Sequence, residues 1–463
     1  MRFKKITETI EVTDIADKGQ ALGKTEDGRV VFVNGLVPGD IAEVTIFKKR
    51  KGSFLASVNK LINKSPYRTE PVCSHFGNCG GCKWQNLIYQ KQLEFKNSGV
   101  KAAFHRIAKT EIVEILPIEG AGLTEFYRNK LEFSFSNKRW LTKEEIGDES
   151  VIESENALGF HAPGNFEKII QVEKCFLQKS PSNEIRDFVR EFTKNHSYTY
   201  YDVKNHIGLM RNIIIRTSNS DEVMVTISFS EFDEEKIIFL LNSLKNRFPE
   251  ITSLNYVVNP KFNDSIWDLE VINFSGNMFI SEKLGRVDFK ISPKSFFQTN
   301  THQSLKLYNI AVDFAEFKGH EHVLDLYTGI GSIALYIADK VRSVVGIEVV
   351  REAIEDAKDN ARLNNISNVE FLAGDVKKVL NEEFKKPDII IVDPPRAGLD
   401  RDVTDTIMSL SPEKIIYISC NPSTQARDIE IMKEKYIIRK SQAVDMFPHT
   451  HHVENVVLMV KKD

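Results

Sequence analysis

From about residue 291 onward, short apolar runs alternate with amphipathic stretches, and this alternation limits the fold more than any other feature of the chain. VLDLYTG, SVVGIEVV, VEFLAGDV, PDIIIVDPP and KIIYISCNP have strand length and are rich in Val and Ile. SIALYIADK and REAIEDAKDNARLNN, between them, read as helices. Parallel strands need a crossover, usually helical, so the pattern predicts a doubly wound parallel sheet over 291–463. Ligands on such a sheet bind outside the carboxyl ends of its strands.

The preceding residues read differently. Within 1–64, short β-rich runs lie between the turn signals Asp27-Gly28, Asn34-Gly35 and Pro38-Gly39-Asp40, which predicts a small OB-like barrel. Lys48, Lys49, Arg50 and Lys51, flanked by Phe47 and Phe54, are candidate RNA-backbone contacts, and equally a solvated hairpin tip. Residues 65–290 form the middle of the chain: a helix over 84–108, then a strand-rich α+β region with one helical stretch, DEEKIIFLLNSLKNRF.

The net charge of −3 argues against a bulk nucleic-acid binder, so any RNA footprint must be a local basic patch. Five cysteines are an odd number and too few for a disulfide scaffold, so a reducing, cytoplasmic setting is expected. MRFKKITETIEVTD lacks the apolar stretch of a secretory signal, and no apolar run reaches the roughly 18 residues of a membrane span. No obligate protein partner is evident.

The cysteines fall into two groups. Cys73, Cys79 and Cys82 are close in sequence and Cys175 lies far downstream. Four thiolates suit zinc or an iron–sulfur cluster, and with only one close pair, Cys79 and Cys82, the spacing leaves both open. The C-x3-C-x2-C spacing of radical enzymes is absent. Cys420 stands alone in Ile-Ser-Cys-Asn-Pro at a strand end, the kind of partly exposed polar position where nucleophilic thiols occur.

Asp325-Leu-Tyr-Thr-Gly329-Ile-Gly331-Ser332 follows the first strand, Glu348 ends the second and Gly374-Asp375 ends the third. The glycines permit a tight turn, and a carboxylate at the second strand end can take both hydroxyls of a ribose. The arrangement resembles class I S-adenosylmethionine-dependent methyltransferases. A dinucleotide fingerprint would place a third glycine where Ala334 stands.

Asp393-Pro394-Pro395-Arg396 ends the fourth strand. Enzymes that methylate exocyclic amines carry an aromatic at the fourth position, so Arg396 points toward a ring carbon. C5 of uracil is a weak nucleophile until a thiolate adds to C6 and makes C5 enolate-like. A base must afterwards remove the C5 proton. Glu454 is the candidate base, following His449, His451 and His452, which read as loop and RNA contacts.

The DPPR, SCNP and MFPHTxHxE segments together resemble the RNA uracil-5-methyltransferase family, and most closely its cluster-containing 23S ribosomal RNA branch. The resemblance spans essentially the whole chain. It implies a multidomain α/β enzyme: a TRAM barrel over 1–64, a cluster and RNA-binding domain over 65–290, with 84–118 packing on the catalytic domain, and a Rossmann-like methyltransferase domain over 291–463. It implies a [4Fe-4S] cluster on Cys73, Cys79, Cys82 and Cys175, Cys420 as nucleophile and Glu454 as proton acceptor. It implies S-adenosylmethionine contacts at Gln298, Tyr327, Ser332, Glu348, Asp375 and Asp393, and an RNA contact at Arg128. The expected substrate is 23S ribosomal RNA; the alternatives are a transfer RNA uracil-5-methyltransferase and a non-catalytic iron–sulfur RNA-binding protein.

Overall fold

The computed structural model describes residues 4–16, 18–50, 52–142, 145–146, 155–380 and 386–462, so Lys51 lies outside the described residues. Five strands open the chain: β1 (Ile6–Ile15), β2 (Ala21–Lys24), β3 (Val30–Val33), β4 (Ile41–Arg50) and β5 (Ser53–Asn63). They close into a barrel in the order β1-β2-β3-β5-β4. Period-two alternation drives the closure: Ala42, Val44 and Ile46 of β4 are fully buried with Ile10, Val31 and Val33, while the residues between them turn outward.

Helix α1 (Tyr89–Ala103) and strand β6 (Ile112–Ile115) follow. The helix begins later than expected: Leu87 is buried ahead of it and Ile88 is exposed. Its buried face carries Gln92, Lys96, Val100 and Ala103, so two polar side chains occupy positions that an amphipathic reading gives to apolar ones.

The middle sheet has the order β13-β12-β11-β10-β7-β8-β9. Its strands are β7 (Lys130–Ser136), β8 (Ala157–His161), β9 (Ile169–Gln171), β10 (Met210–Thr217), β11 (Val223–Phe229), β12 (Ile251–Val258) and β13 (Ile272–Gly276). Two helices pack on it, α2 (Ser182–Asn195) and α3 (Glu234–Arg247). Only α3 is expected from the sequence, so α2 is a correction. It forms because Ile185, Phe188, Val189 and Phe192 recur at helical spacing and join the sheet's apolar core.

A hairpin of β14 (Ile280–Leu284) and β15 (Val287–Ile291) then packs into one apolar cluster with α4 (Thr301–Ala315). The C-terminal sheet contains β16 (His322–Leu326), β17 (Ser343–Glu348), β18 (Val369–Ala373), β19 (Ile389–Val392), β20 (Lys414–Ser419), β21 (Tyr436–Val444) and β22 (Glu454–Lys461). Between them lie α5 (Ser332–Ile337), α6 (Arg351–Leu363), α7 (Val376–Val379), α8 (Arg401–Leu410) and α9 (Pro422–Met432). The strand order is β18-β17-β16-β19-β20-β22-β21-β6.

Strands β16 to β20 pair in parallel, and the order reverses between β16 and β19, which opens a crevice at their carboxyl ends. Strand β22 runs antiparallel to both β20 and β21, so its first residue reaches the edge where the parallel strands finish. The sheet's outermost strand is β6, parallel to β21 and supplied from more than 300 residues earlier in the chain. Among the described residues no helix is long and apolar enough to cross a membrane.

Candidate active site

One cavity of about 1010 Å³ runs along the carboxyl edge of the C-terminal sheet. Gln298, Tyr327, Ser332, Glu348, Asp393, Cys420 and Glu454 all line it. Asp375 does not; it is exposed beyond β18, outside this lining.

The turn after β16 forms the cofactor end. Tyr327 adopts a left-handed backbone with φ 64°, rare outside glycine, and Gly331 has φ 79°. A Cβ on Gly331 would lie 2.7 Å from the Phe371 ring, so the close packing of turn on sheet requires glycine there. Glu348 braces the turn by accepting from the Gly329 N–H at 3.3 Å and from the Val350 N–H at 3.0 Å. Ser332 opens α5 and shares a 2.9 Å hydrogen bond with the Tyr308 hydroxyl. Asp325 lies beneath the turn, accepts from the Thr328 hydroxyl at 2.5 Å and is pushed up to about 7 by burial.

The reactive end follows from strand register. Ser419 of β20 pairs with Asn455 of β22, so Cys420 and Glu454 are the next residues out at these two strand ends, and both line the cavity. Glu454 is 3% exposed, and its Oε2 has no hydrogen-bond partner. Burial, with the nearby Asp393 carboxylate, raises it well above the usual carboxylate range. Burial also raises Asp393 to about 7, against a hydrogen bond from Gln298. Cys420 is pushed up to about 12 by burial, Glu454 and Asp393, while Arg396 acts the other way. The site thus holds a thiol and two carboxyls that cannot all ionise together, with Arg396 as the opposing cation.

The segment leading to Glu454 is fixed from outside the sheet. Lys96 of α1 donates to Asp445 Oδ1 at 2.5 Å and to the Phe447 carbonyl at 3.0 Å, and both members of the ion pair are fully buried. Tyr89 donates to the other oxygen of Asp445 at 2.9 Å. The His449 carbonyl accepts from the Lys83 and Trp84 N–H groups at 2.8 and 3.0 Å. Of the three histidines only His452 lines the cavity, with its Nδ1 3.2 Å from Arg396. His449 faces Gln92, and His451 packs against Gly19 of the barrel. The sequence reading missed Lys96 and Asp445. Its one available signal was Lys96 falling on the same helical stripe as Gln92, Val100 and Ala103.

Cys73, Cys79, Cys82 and Cys175 converge on a second cavity of about 250 Å³, walled by Leu131, Phe160, Val172 and Phe176. The Gly81 N–H donates to Cys79 Sγ at 3.5 Å, and Gln85 holds the Cys73 N–H at 3.1 Å. Among the described residues no three His, Cys, Asp or Glu side chains gather tightly enough for a single metal ion. Gly81, Arg128 and Thr450 line both this cavity and the larger one. Arg128 also lies over the Phe447 ring, 5.7 Å from its centroid.

Lys48, Lys49 and Arg50 are exposed at the far end of β4. That end pairs with the start of β1, whereas the turn after β1 touches His451, so the basic tip lies at the opposite end of the barrel from the cavity.

Comparison with known proteins agrees with this geometry. A family model described as tRNA (Uracil-5-)-methyltransferase matches residues 269–462, and the TRAM domain model matches 5–58. An RNA methyltransferase of Bacteroides thetaiotaomicron is 48% identical over 96% of this chain and 99% of its own length. The chain belongs to the RNA uracil-5-methyltransferase family. One from Porphyromonas gingivalis, also described as an RNA methyltransferase, is 46% identical over 98% of the chain and 99% of its own. The solved tRNA (uracil-54, C5)-methyltransferase of Pyrococcus abyssi, in complex with S-adenosyl-L-homocysteine, has a TM-score of 0.75 and 29% identity. It covers 97% of this chain, which covers 99% of it. The chain is therefore an RNA methyltransferase of this family, with S-adenosylmethionine as methyl donor and a TRAM barrel at its N-terminus.

Proposed function

We propose that this enzyme methylates C5 of a uridine in 23S ribosomal RNA, with Cys420 as nucleophile and Glu454 as base. The observation that carries the chemistry is that Cys420 and Glu454, at adjoining strand ends, line one cavity with the cofactor residues, close enough for Glu454 to act on the thiol. The target base must leave its stack to reach them, and an RNA loop or bulge lowers that cost. Cys420, as thiolate, adds to C6, and the electron pair moves to C5 with the negative charge shared by O4. S-adenosylmethionine, held along Glu348, Ser332 and Tyr327, would supply the methyl group to C5 as its S–CH3 bond breaks, leaving S-adenosylhomocysteine. Glu454 then accepts the C5 proton as the C6–S bond breaks, which restores the ring and frees Cys420. Arg396 is the cation that offsets the charge gathered on Cys420 and Glu454. Asp393, with Gln298 hydrogen-bonded to it, orients base and cofactor.

Cys73, Cys79, Cys82 and Cys175 line one cavity with an apolar wall of Leu131, Phe160, Val172 and Phe176, and four thiolates there would hold a [4Fe-4S] cluster. The cluster's role is structural, fixing the segment that holds His449. Arg128 and the exposed barrel tip, with Lys48, Lys49 and Arg50, provide RNA contacts at separate points. A cytoplasmic location follows from the substrate.

The second reading is a transfer RNA substrate, favoured by the Pyrococcus abyssi enzyme. That enzyme matches 97% of this chain, so the additional domains do not by themselves distinguish the two substrates. Tritium release decides. Release from [5-³H]uridine-labelled 23S ribosomal RNA and not from transfer RNA supports the proposal; the reverse selects the second reading. No release from either, with the cluster in place, would leave the non-catalytic RNA-binding alternative.

A further inference from the structure

Beside the catalytic cavity lies a separate hollow of about 320 Å³ that the reaction above does not use. The two share a wall: Trp267, Pro293, Lys294, Ser295 and Phe296 line both. Trp267 is 51% exposed and Phe296 63% exposed, so two large aromatic faces stand open on a polar rim. The Trp267 loop is a built structure. Arg211, nearly fully buried, donates to the carbonyls of Asn259 and Asn263 at 2.8 and 3.0 Å and to Asp264 at 2.8 Å. Ile266 anchors the same loop in an apolar cluster with Ile214 and Val257.

The floor of the hollow is polar and incompletely paired. Arg216 is 4% exposed, donates to the Ser295 carbonyl at 2.6 Å, and leaves its Nε without a partner. Lys130 lines the hollow with no ion pair among the described residues. The carboxylates of Glu132 and Asp264 line it too. Donors and acceptors on one floor suit a ligand edge that presents both. Flat open faces above such a floor suit a planar heterocycle.

We propose that this hollow is a second nucleobase subsite, which takes an RNA base neighbouring the target uridine, with one face against Trp267 and Phe296 and its polar edge toward Lys130, Glu132 and Arg216. The proposal rests on the reading of the enzyme as a uridine C5 methyltransferase. It makes recognition depend on two extruded bases, one in each of two cavities that share a wall.

The test uses a pool of short RNAs with one 5-fluorouridine between randomised neighbours. Fluorine at C5 leaves no proton for Glu454 to remove, so methylated RNA stays bonded to Cys420. Trapped RNAs from the full-length protein with S-adenosylmethionine are sequenced. Enrichment of particular bases at one flanking position, lost in Trp267→Ala together with about a tenfold fall in pool affinity, is expected. Flat flanks, or the same enrichment in Trp267→Ala, overturn the subsite. Absence of trapping speaks against the reaction, and tryptophan fluorescence then decides the subsite alone. A quench by the pool that disappears in Trp267→Phe supports it, and no such difference sinks it.

Discussion

Cys420 and Glu454 line the same cavity, each one residue beyond the Ser419–Asn455 pair that ends the ladder between the antiparallel strands β20 and β22. Burial and the Glu454 carboxylate together raise the Cys420 thiol. In the free enzyme, alkylation of Cys420 by iodoacetamide should begin only at strongly alkaline pH, consistent with a thiol pushed up to about 12. Glu454→Gln removes a repelling carboxylate, so the alkylation midpoint should move down in pH. Mass spectrometry of the Cys420 peptide checks both. A midpoint near about 8.5, as for a free thiol, would contradict the first expectation.

Removing either partner should separate the two halves of the reaction. Cys420→Ala should lower turnover by about 10⁴-fold or more while S-adenosylhomocysteine binding, measured by calorimetry, is retained. Glu454→Gln should accumulate an RNA adduct that survives denaturing electrophoresis. Normal turnover by Glu454→Gln would remove it from the mechanism.

Asp393 carries a testable pH effect on stability. Its folded-state value of about 7 lies above that of an unfolded aspartate, so the folded form holds the proton more tightly. The resulting stabilisation is present below about pH 4 and is lost as pH rises through 7. Asp393→Asn should therefore gain roughly 2 kcal/mol relative to wild type between pH 5 and pH 8. Urea unfolding at the two pH values measures the difference. An identical pH dependence in both proteins would argue against a proton held on Asp393.

The buried Lys96–Asp445 pair should be costly to split. Lys96→Met leaves the Asp445 carboxylate buried without its counter-ion and should cost roughly 3 kcal/mol. The double change Lys96→Met with Asp445→Asn should recover part of that, as a thermodynamic cycle would show. Equal losses in the single and double variants would indicate that the pair contributes only packing.

Loss of the proposed cluster should reach the catalytic segment through Trp84. Cys82→Ser should lower iron and sulfide content and raise amide exchange at Lys83 and Trp84, whose N–H groups are held by the His449 carbonyl. Iron-free protein with unchanged exchange there would show that the segment stands without the centre.

Much of the site could be read from the sequence because strand ends are legible. Asp393, Cys420 and Glu348 each follow an apolar run, and sheet order then brings them to one edge. Two things were not legible. Helix α2 is set in a strand-rich stretch, which masks its stripe of Ile185, Phe188, Val189 and Phe192 among charged residues. The burial of Lys96 depends on Asp445, 349 residues away, and no local pattern announces a pairing at that distance. Asp375 shows the opposite limit: a strand-end position can be read correctly while its side chain lies outside the cavity lining.

The edge strand β6 has a consequence for how the molecule is made. Ile112–Ile115 leave the ribosome long before β21 (Tyr436–Val444), beside which they finally lie. The catalytic sheet therefore stays open at one margin until almost the whole polypeptide has emerged. A fragment beginning at residue 269 would keep every reactive side chain yet expose the unpaired rim of β21, an invitation to aggregation. The early segment works as a latch that the last strands close, so synthesis, folding and completion of the enzyme end together.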